Sequence, residues 1–136
     1  MSKYSQDFSK SARRHFEAAR RLDQPTGGVR DVAGYLFGVA AECALKQIMR
    51  ESGMMPLPPA QRREDPFYAH FPALKTLLTS AVCGRREGDL RRWSADAMFM
   101  ADWDTDMRYA PAKDVLEKDV DRWREAAEKV IGAMGL

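Results

Sequence analysis

The chain has 136 residues, 22 Lys/Arg, 20 Asp/Glu and a formal charge of +2, enough for one domain around one core and too little for two. So small an excess excludes a protein that coats nucleic acid by bulk charge. The charge is nevertheless uneven: residues 1–50 carry nine Lys/Arg against five Asp/Glu, residues 51–100 seven against six, and residues 101–136 six against nine. The N-terminal part can therefore face an anion more readily than the last helix, although solvated helix faces produce the same pattern.

Residues 1–16, MSKYSQDFSKSARRHF, lack the apolar core and small-residue cleavage site of a secretory leader. No run approaches the length needed to span a bilayer, so a cytoplasmic protein with no membrane contact is expected. Phe8, Ala12, His15 or Phe16, Ala19 and Leu22 recur at three- and four-residue steps, which predicts an amphipathic first helix ended by Gln24-Pro25-Thr26-Gly27-Gly28. Residues 29–50 are apolar on most sides, as a central helix touching several neighbours must be. Within it, Gly34 and Gly38 permit close approach of another helix backbone.

Gly53, Pro56, Pro58, Pro59 and Pro66 make residues 52–69 a loop, long for so small a domain and hence a candidate for function or for ordering on binding. A third helix is predicted over residues 72–81, with Pro72 in its first turn, Phe71, Leu74, Leu77, Leu78 and Val82 facing inward, and Cys83-Gly84 closing it. Asp89 caps a fourth, reaching Asp102, with Leu90, Trp93, Ala97 and Met100 on one stripe. The last helix is expected from Pro111, carrying Leu116, Val120, Trp123, Ala127, Val130 and Met134, with Asp114 and Glu117 in its first turn. Nothing alternates with a two-residue period, so the expected fold is all-α, an antiparallel up-and-down bundle of about five helices in a single domain over residues 1–136.

Three constellations bear on chemistry. Glu42 and Lys46 stand one turn apart, and Arg50 continues their row; exposed, they are a solvent stripe, but in a cleft Lys46 meets a phosphate and Glu42 orients it. His15, His70, Cys43 and Cys83 are the residue types of a zinc or Cys-His site, but no pair has short ligand spacing, and helix interiors suit reduced, buried thiols; neither metal nor cofactor is expected. Gly27-Gly28 has no following Lys-Ser or Lys-Thr and no preceding strand, so it is not a phosphate loop. The run WDTDMRYAP, Trp103 to Pro111, is the most pointed. Arg108 beside Tyr109 can hold a phosphate and stack a base, or Arg108 can pair with Asp104 or Asp106 to pin a turn, with Trp103 and Tyr109 in the core.

AAECALK at residues 40–46, HFPALKTLL at 70–78 and DMRYAP at 106–111, in that order, resemble the HEPN superfamily (higher eukaryotes and prokaryotes nucleotide-binding domains). The resemblance implies a helical bundle, a homodimer with a cleft between protomers, and in many members a metal-independent endoribonuclease using an Arg and a nearby His. Arg108 matches that arginine, but no histidine follows it. The expectation is therefore an RNA- or nucleotide-binding domain with degenerate or absent ribonuclease activity, binding through Lys46, Arg108 and Tyr109 with Glu42 and Asp106 in support. Arg108, Tyr109 and His70 are the catalytic candidates. The alternatives are a ribonuclease of a toxin–antitoxin or defence system, partnered by a nucleotidyltransferase-like antitoxin, and a non-catalytic interaction module. Arg63 and His70 also satisfy an Arg-x6-His spacing, away from the family's usual place.

Overall fold

The Asp7 carboxylate accepts a hydrogen bond from the Lys10 amide at 3.0 Å and caps α1 (Phe8–Leu22), leaving Phe8, Ala12 and Ala19 buried on one side. This satisfies one of the amide groups that any helix start leaves without an internal partner. The structure, a computed structural model, describes residues 3–26 and 28–136. Met1, Ser2 and Gly27, the last part of the run expected to end the first helix, lie outside them.

Next comes α2 (Arg30–Glu51), with twelve of its residues buried, including Phe37, Leu45, Ile48 and Met49. Contrary to the sequence expectation, this helix is long and apolar enough to cross a membrane, but 67% of its apolar window is buried in the protein. That burial marks it as the central helix of the core. Then follow α3 (Ala73–Ala81), α4 (Glu87–Ala95) and α5 (Glu117–Ala133), with short 3-10 turns between. The fold is an all-α helical bundle with no strand among the described residues.

Hydrogen bonds and ion pairs at the helix ends give the directions. Arg50, late in α2, donates to Gln6 just before α1 at 3.1 Å, while Asp23, just after α1, accepts from Arg30 at 2.7 Å, so α1 and α2 are antiparallel. Arg30 also pairs with Asp121 early in α5, and Glu51 accepts from the Gly135 amide at 2.9 Å beyond its end. Helix α5 thus returns parallel to α2, because residues 52–116 cross back before it begins.

Two hubs hold these ends. Asp23 takes Arg30 and, at 2.9 Å, Arg124. Burial works to raise its pKa, but the two guanidinium groups outweigh burial and hold it below the ordinary carboxylate value. At the far end, buried Arg86 reaches Glu51 at 2.8 Å, Asp89 at 2.9 Å and the Ala133 carbonyl at 3.0 Å.

Several boundaries differ from those expected. Helix α4 stops at Ala95 because the Asp96 carboxylate accepts from the Met98 amide at 2.9 Å, and Lys75 binds the Asp96 and Phe99 carbonyls. Met100 and Asp102 then take left-handed backbone angles, φ 57 and 68, which no helix continues through. Asp89 lies inside α4 rather than capping it, held by Arg86. Helix α5 starts at Glu117, where Arg30 ties Glu117 and Asp121 to the start of α2. The preceding Ala112–Asp114 is a separate 3-10 turn, and Leu116 is exposed.

The long loop is ordered around Asp65, which is fully buried and accepts from the Leu57 amide at 2.8 Å and the Phe67 amide at 3.0 Å. Those bonds supply partners that a buried carboxylate requires. Gly84, φ +88, closes the segment after α3; a Cβ there would meet the Ser52 carbonyl oxygen at 1.8 Å. Cys43 is half-buried and Cys83 exposed, so only the first resembles the buried thiol expected; both are free.

Candidate functional site

Gly34 and Gly38 serve chiefly to admit side chains to α2. A Cβ on Gly38 would lie 1.9 Å from Trp103 Nε1, and one on Gly34 would lie 3.0 Å from Val120. Without a side chain at position 38, the Trp103 indole lies against α2, only 1% exposed, and donates to the Gly34 carbonyl at 3.2 Å. Trp103 stacks on Tyr35 at 5.5 Å between centroids and takes the edge of Phe71 at 6.1 Å. Phe71 in turn meets Phe99 at 5.7 Å. Each such pair contributes about 0.5–1.5 kcal/mol beyond area burial, so this row fixes both residues 103–109 and the start of α3 on α2.

The start of α3 is also held by charge. Glu42 Oε1 accepts from the Phe71 amide at 2.8 Å, and Oε2 accepts from His70 Nδ1 at 2.9 Å. A carboxylate only accepts, so Nδ1 carries the proton and, in the neutral ring, Nε2 is the free acceptor. The His70 side chain is 62% exposed. An imidazole oriented by a buried carboxylate with its other nitrogen facing outward is suited to proton transfer.

Lys46 is buried too, its Nζ 3.9 Å from Glu42 Oε2. Burial lowers its pKa, opposed by the charges of Glu42, Cys43 and Asp65. The Glu42–Lys46 row is therefore not a solvent stripe, and Lys46 sits behind Glu42 rather than on an open face. Beside it, burial raises the Cys43 thiol pKa despite the Ser11 hydroxyl at 3.4 Å. His15 contacts the same Ser11, its Nδ1 2.8 Å from the Ser11 carbonyl oxygen. A thiol held protonated is the opposite of an activated nucleophile.

Arg108 occupies a different setting, a 3-10 turn over Thr105–Tyr109 capped by Asp104, whose carboxylate accepts from the Asp106 amide at 2.9 Å. Arg108 Nε donates to the Thr105 carbonyl at 3.0 Å, and its guanidinium lies 5.3 Å from the Tyr109 ring centroid. No carboxylate pairs with it among the described residues, so neither Asp104 nor Asp106 closes it off. Trp103 is core, as one reading of the run had it, but Tyr109 is 79% exposed.

The fold thus brings Glu42, Lys46 and His70 together and leaves Arg108 and Tyr109 as a separate, exposed pair. Phe71 and Trp103 lie between the two groups, and no direct hydrogen bond or ion pair joins them. Arg63 is exposed on the 3-10 turn Pro59–Glu64 and does not contact His70. No group of three or more His, Cys, Asp or Glu is placed to hold a metal among the described residues. No protein-family model, curated protein or solved structure matches the chain.

Sequence reasoning paired Glu42 with Lys46 and missed its stronger bonds to His70 and Phe71. The partners are 28 and 29 residues apart, beyond any helical spacing. Asp65 was missed as well, although an Asp before a Pro at a turn is a signal for side-chain capping.

Proposed function

We propose that the chain is a HEPN-like RNA- or nucleotide-binding domain in which Arg108 and Tyr109 make the ligand contacts, with little or no ribonuclease activity. The observation carrying this reading is the exposed Arg108–Tyr109 pair, a cation without a carboxylate partner beside an uncovered ring. Such a pair holds a phosphate and stacks a base without first breaking an internal bond. Asp106 is a bystander on the same turn. Lys46 supports Glu42 from behind and does not touch the ligand. A homodimer is part of this reading: exposed Val32, with the partly buried Leu36 and Val39 at steps of four and three along α2, faces the second copy.

Binding of labelled RNA and nucleotides at low salt tests the site. Replacing Arg108 and Tyr109 together by Ala is expected to weaken RNA at least about tenfold, and losing the one phosphate contact lowers the salt slope by about 1. Unchanged binding overturns the assignment. A wild-type protein that sediments as a monomer overturns the dimer.

The second reading, a metal-independent endoribonuclease of a toxin–antitoxin or defence system with a nucleotidyltransferase-like partner, is favoured by the Glu42–His70 pair. There His70 Nε2 takes the proton of the ribose 2′-hydroxyl as its oxygen bonds to phosphorus, the bond from phosphorus to the 5′-oxygen breaks with that oxygen taking a proton from water, and Arg108 stabilises the charge on the phosphoryl oxygens. Cleavage of total RNA in EDTA that disappears in both His70→Ala and Arg108→Ala establishes it, and inert wild-type protein rejects it. An interaction module alone draws support only from the α2 stripe, because Arg108 is not closed by its neighbouring carboxylates.

A further inference from the structure

A pocket of about 700 Å³ opens between the 3-10 turn Pro59–Glu64 and α3, away from Arg108. Arg62, Arg63 and Glu64 line it from the loop, and Ala73 and Leu77 from α3. The Arg62 guanidinium lies over the Tyr68 ring, 4.6 Å from its centroid. Neither arginine has a carboxylate partner among the described residues. Glu64 is the lone carboxylate in the lining, so two cations face one anion. Asp65 is turned to the Leu57 and Phe67 amides, which fastens the loop and keeps its charge off the pocket.

These walls ask for two things of one ligand. Two unpaired guanidinium groups match the oxygens of a phosphate, which arginine grips with paired N–H donors. The stacked Arg62–Tyr68 surface and the apolar wall of Leu77 match a flat ring. Bare phosphate leaves the apolar half unfilled, and an unphosphorylated nucleoside leaves the arginines unmatched. The volume lies within the roughly 300–1,000 Å³ usual for small-molecule sites.

We propose that this pocket binds a nucleoside monophosphate unit, as a free nucleotide or as the phosphorylated end of an RNA strand. The ligand class rests on the nucleotide-binding reading above; the residues do not, since Arg108, Tyr109 and Lys46 are not in the lining.

Calorimetric titration of the full chain with AMP, adenosine and inorganic phosphate, and with a short RNA bearing or lacking a 5′-phosphate, tests it. AMP is expected to bind at least about tenfold more tightly than adenosine or phosphate, a difference of about 1.4 kcal/mol. Arg62→Ala with Arg63→Ala removes that advantage, while Lys10→Ala, at an exposed cation on α1 outside the lining, leaves AMP affinity unchanged. Stronger binding of the 5′-phosphorylated strand assigns the pocket to strand ends; equal binding of both strands with AMP binding intact assigns it to the free nucleotide. AMP affinity that survives the double Arg variant, or that does not exceed adenosine's, overturns the pocket. If the double variant binds AMP normally while Arg108→Ala loses RNA, the pocket fails alone. The converse result defeats only the Arg108 assignment. Both arginines are exposed, so circular dichroism is expected to show an unchanged fold.

Discussion

The Glu42 cluster and the Arg108 turn hold charge in opposite ways. Around Glu42 the acid, the lysine behind it and the Phe71 amide are buried, and each bond is made within the chain. Around Arg108 the guanidinium has only a backbone carbonyl and an exposed ring for partners. A buried charge left without a partner is costly, so the first cluster is committed to holding the fold and orienting His70. The second is free to exchange solvent for a ligand at little cost. Substitutions that destabilise the protein are therefore expected at Glu42, and substitutions that affect binding alone at Arg108.

The largest effect is expected at Glu42. Glu42→Ala leaves Lys46 buried without its pair and removes the acceptor of the Phe71 amide, a loss of about 3–5 kcal/mol by analogy with broken buried pairs. Urea denaturation measures it directly. Glu42→Gln keeps an acceptor for the amide and should cost less, as should Lys46→Met, since Glu42 retains both His70 and Phe71. If Glu42→Ala unfolds at the wild-type midpoint, the cluster does not clamp the start of α3 to α2.

Gly38→Ala comes next. The new Cβ overlaps the Trp103 indole, so the ring must leave α2 and its bond to Gly34, at about 1–3 kcal/mol for overpacking a tight site. Because residues 105–109 follow directly, the same variant should also weaken RNA binding. Tryptophan fluorescence and denaturation report the two consequences of one displacement. Loss of stability with RNA affinity intact would separate the turn from its anchor.

These two positions also show what could be read from residues alone. The apolar periods of α1 and α2 gave their extents closely, because a helix that buries one face or many repeats the requirement every turn. Met100 fits the stripe of α4 and so extends the expected helix past its end, whereas the hold of Lys75 on two carbonyls, which helps to end it, acts across chain segments. Leu116 fits the period of α5 yet precedes the helix, whose start depends on the distant Arg30. Glu42, Lys46 and His70 were legible as residue types. Their joining was not, since it depends on how Phe71 and Trp103 pack on α2.

A smaller effect is expected at the Asp23 hub, where it should appear mainly as pH dependence. The folded pKa of Asp23 lies below its ordinary 3.8, so the folded state binds fewer protons than the unfolded state in the window below that value. Its contribution is fully present above pH 3.8 and is lost as the pH falls through the folded value. Asp23→Asn should therefore flatten the acid limb of the stability curve while leaving Arg30 its bond to Asp121. An acid limb identical to that of the wild type removes Asp23 from the account.

The smallest stability change belongs to Arg108→Ala. Its one hydrogen bond is exposed and runs to a carbonyl three residues away on the same turn, and such surface substitutions usually stay within about 0.5 kcal/mol. Most of the turn's order comes from Asp104 and the buried Trp103, neither of which needs the guanidinium. Arg108→Lys sharpens the test: it keeps the charge and loses the planar fork that grips phosphate and stacks on Tyr109. RNA affinity restored by Lys points to simple charge attraction, whereas affinity lost in both variants at unchanged melting temperature points to the shape of the arginine itself.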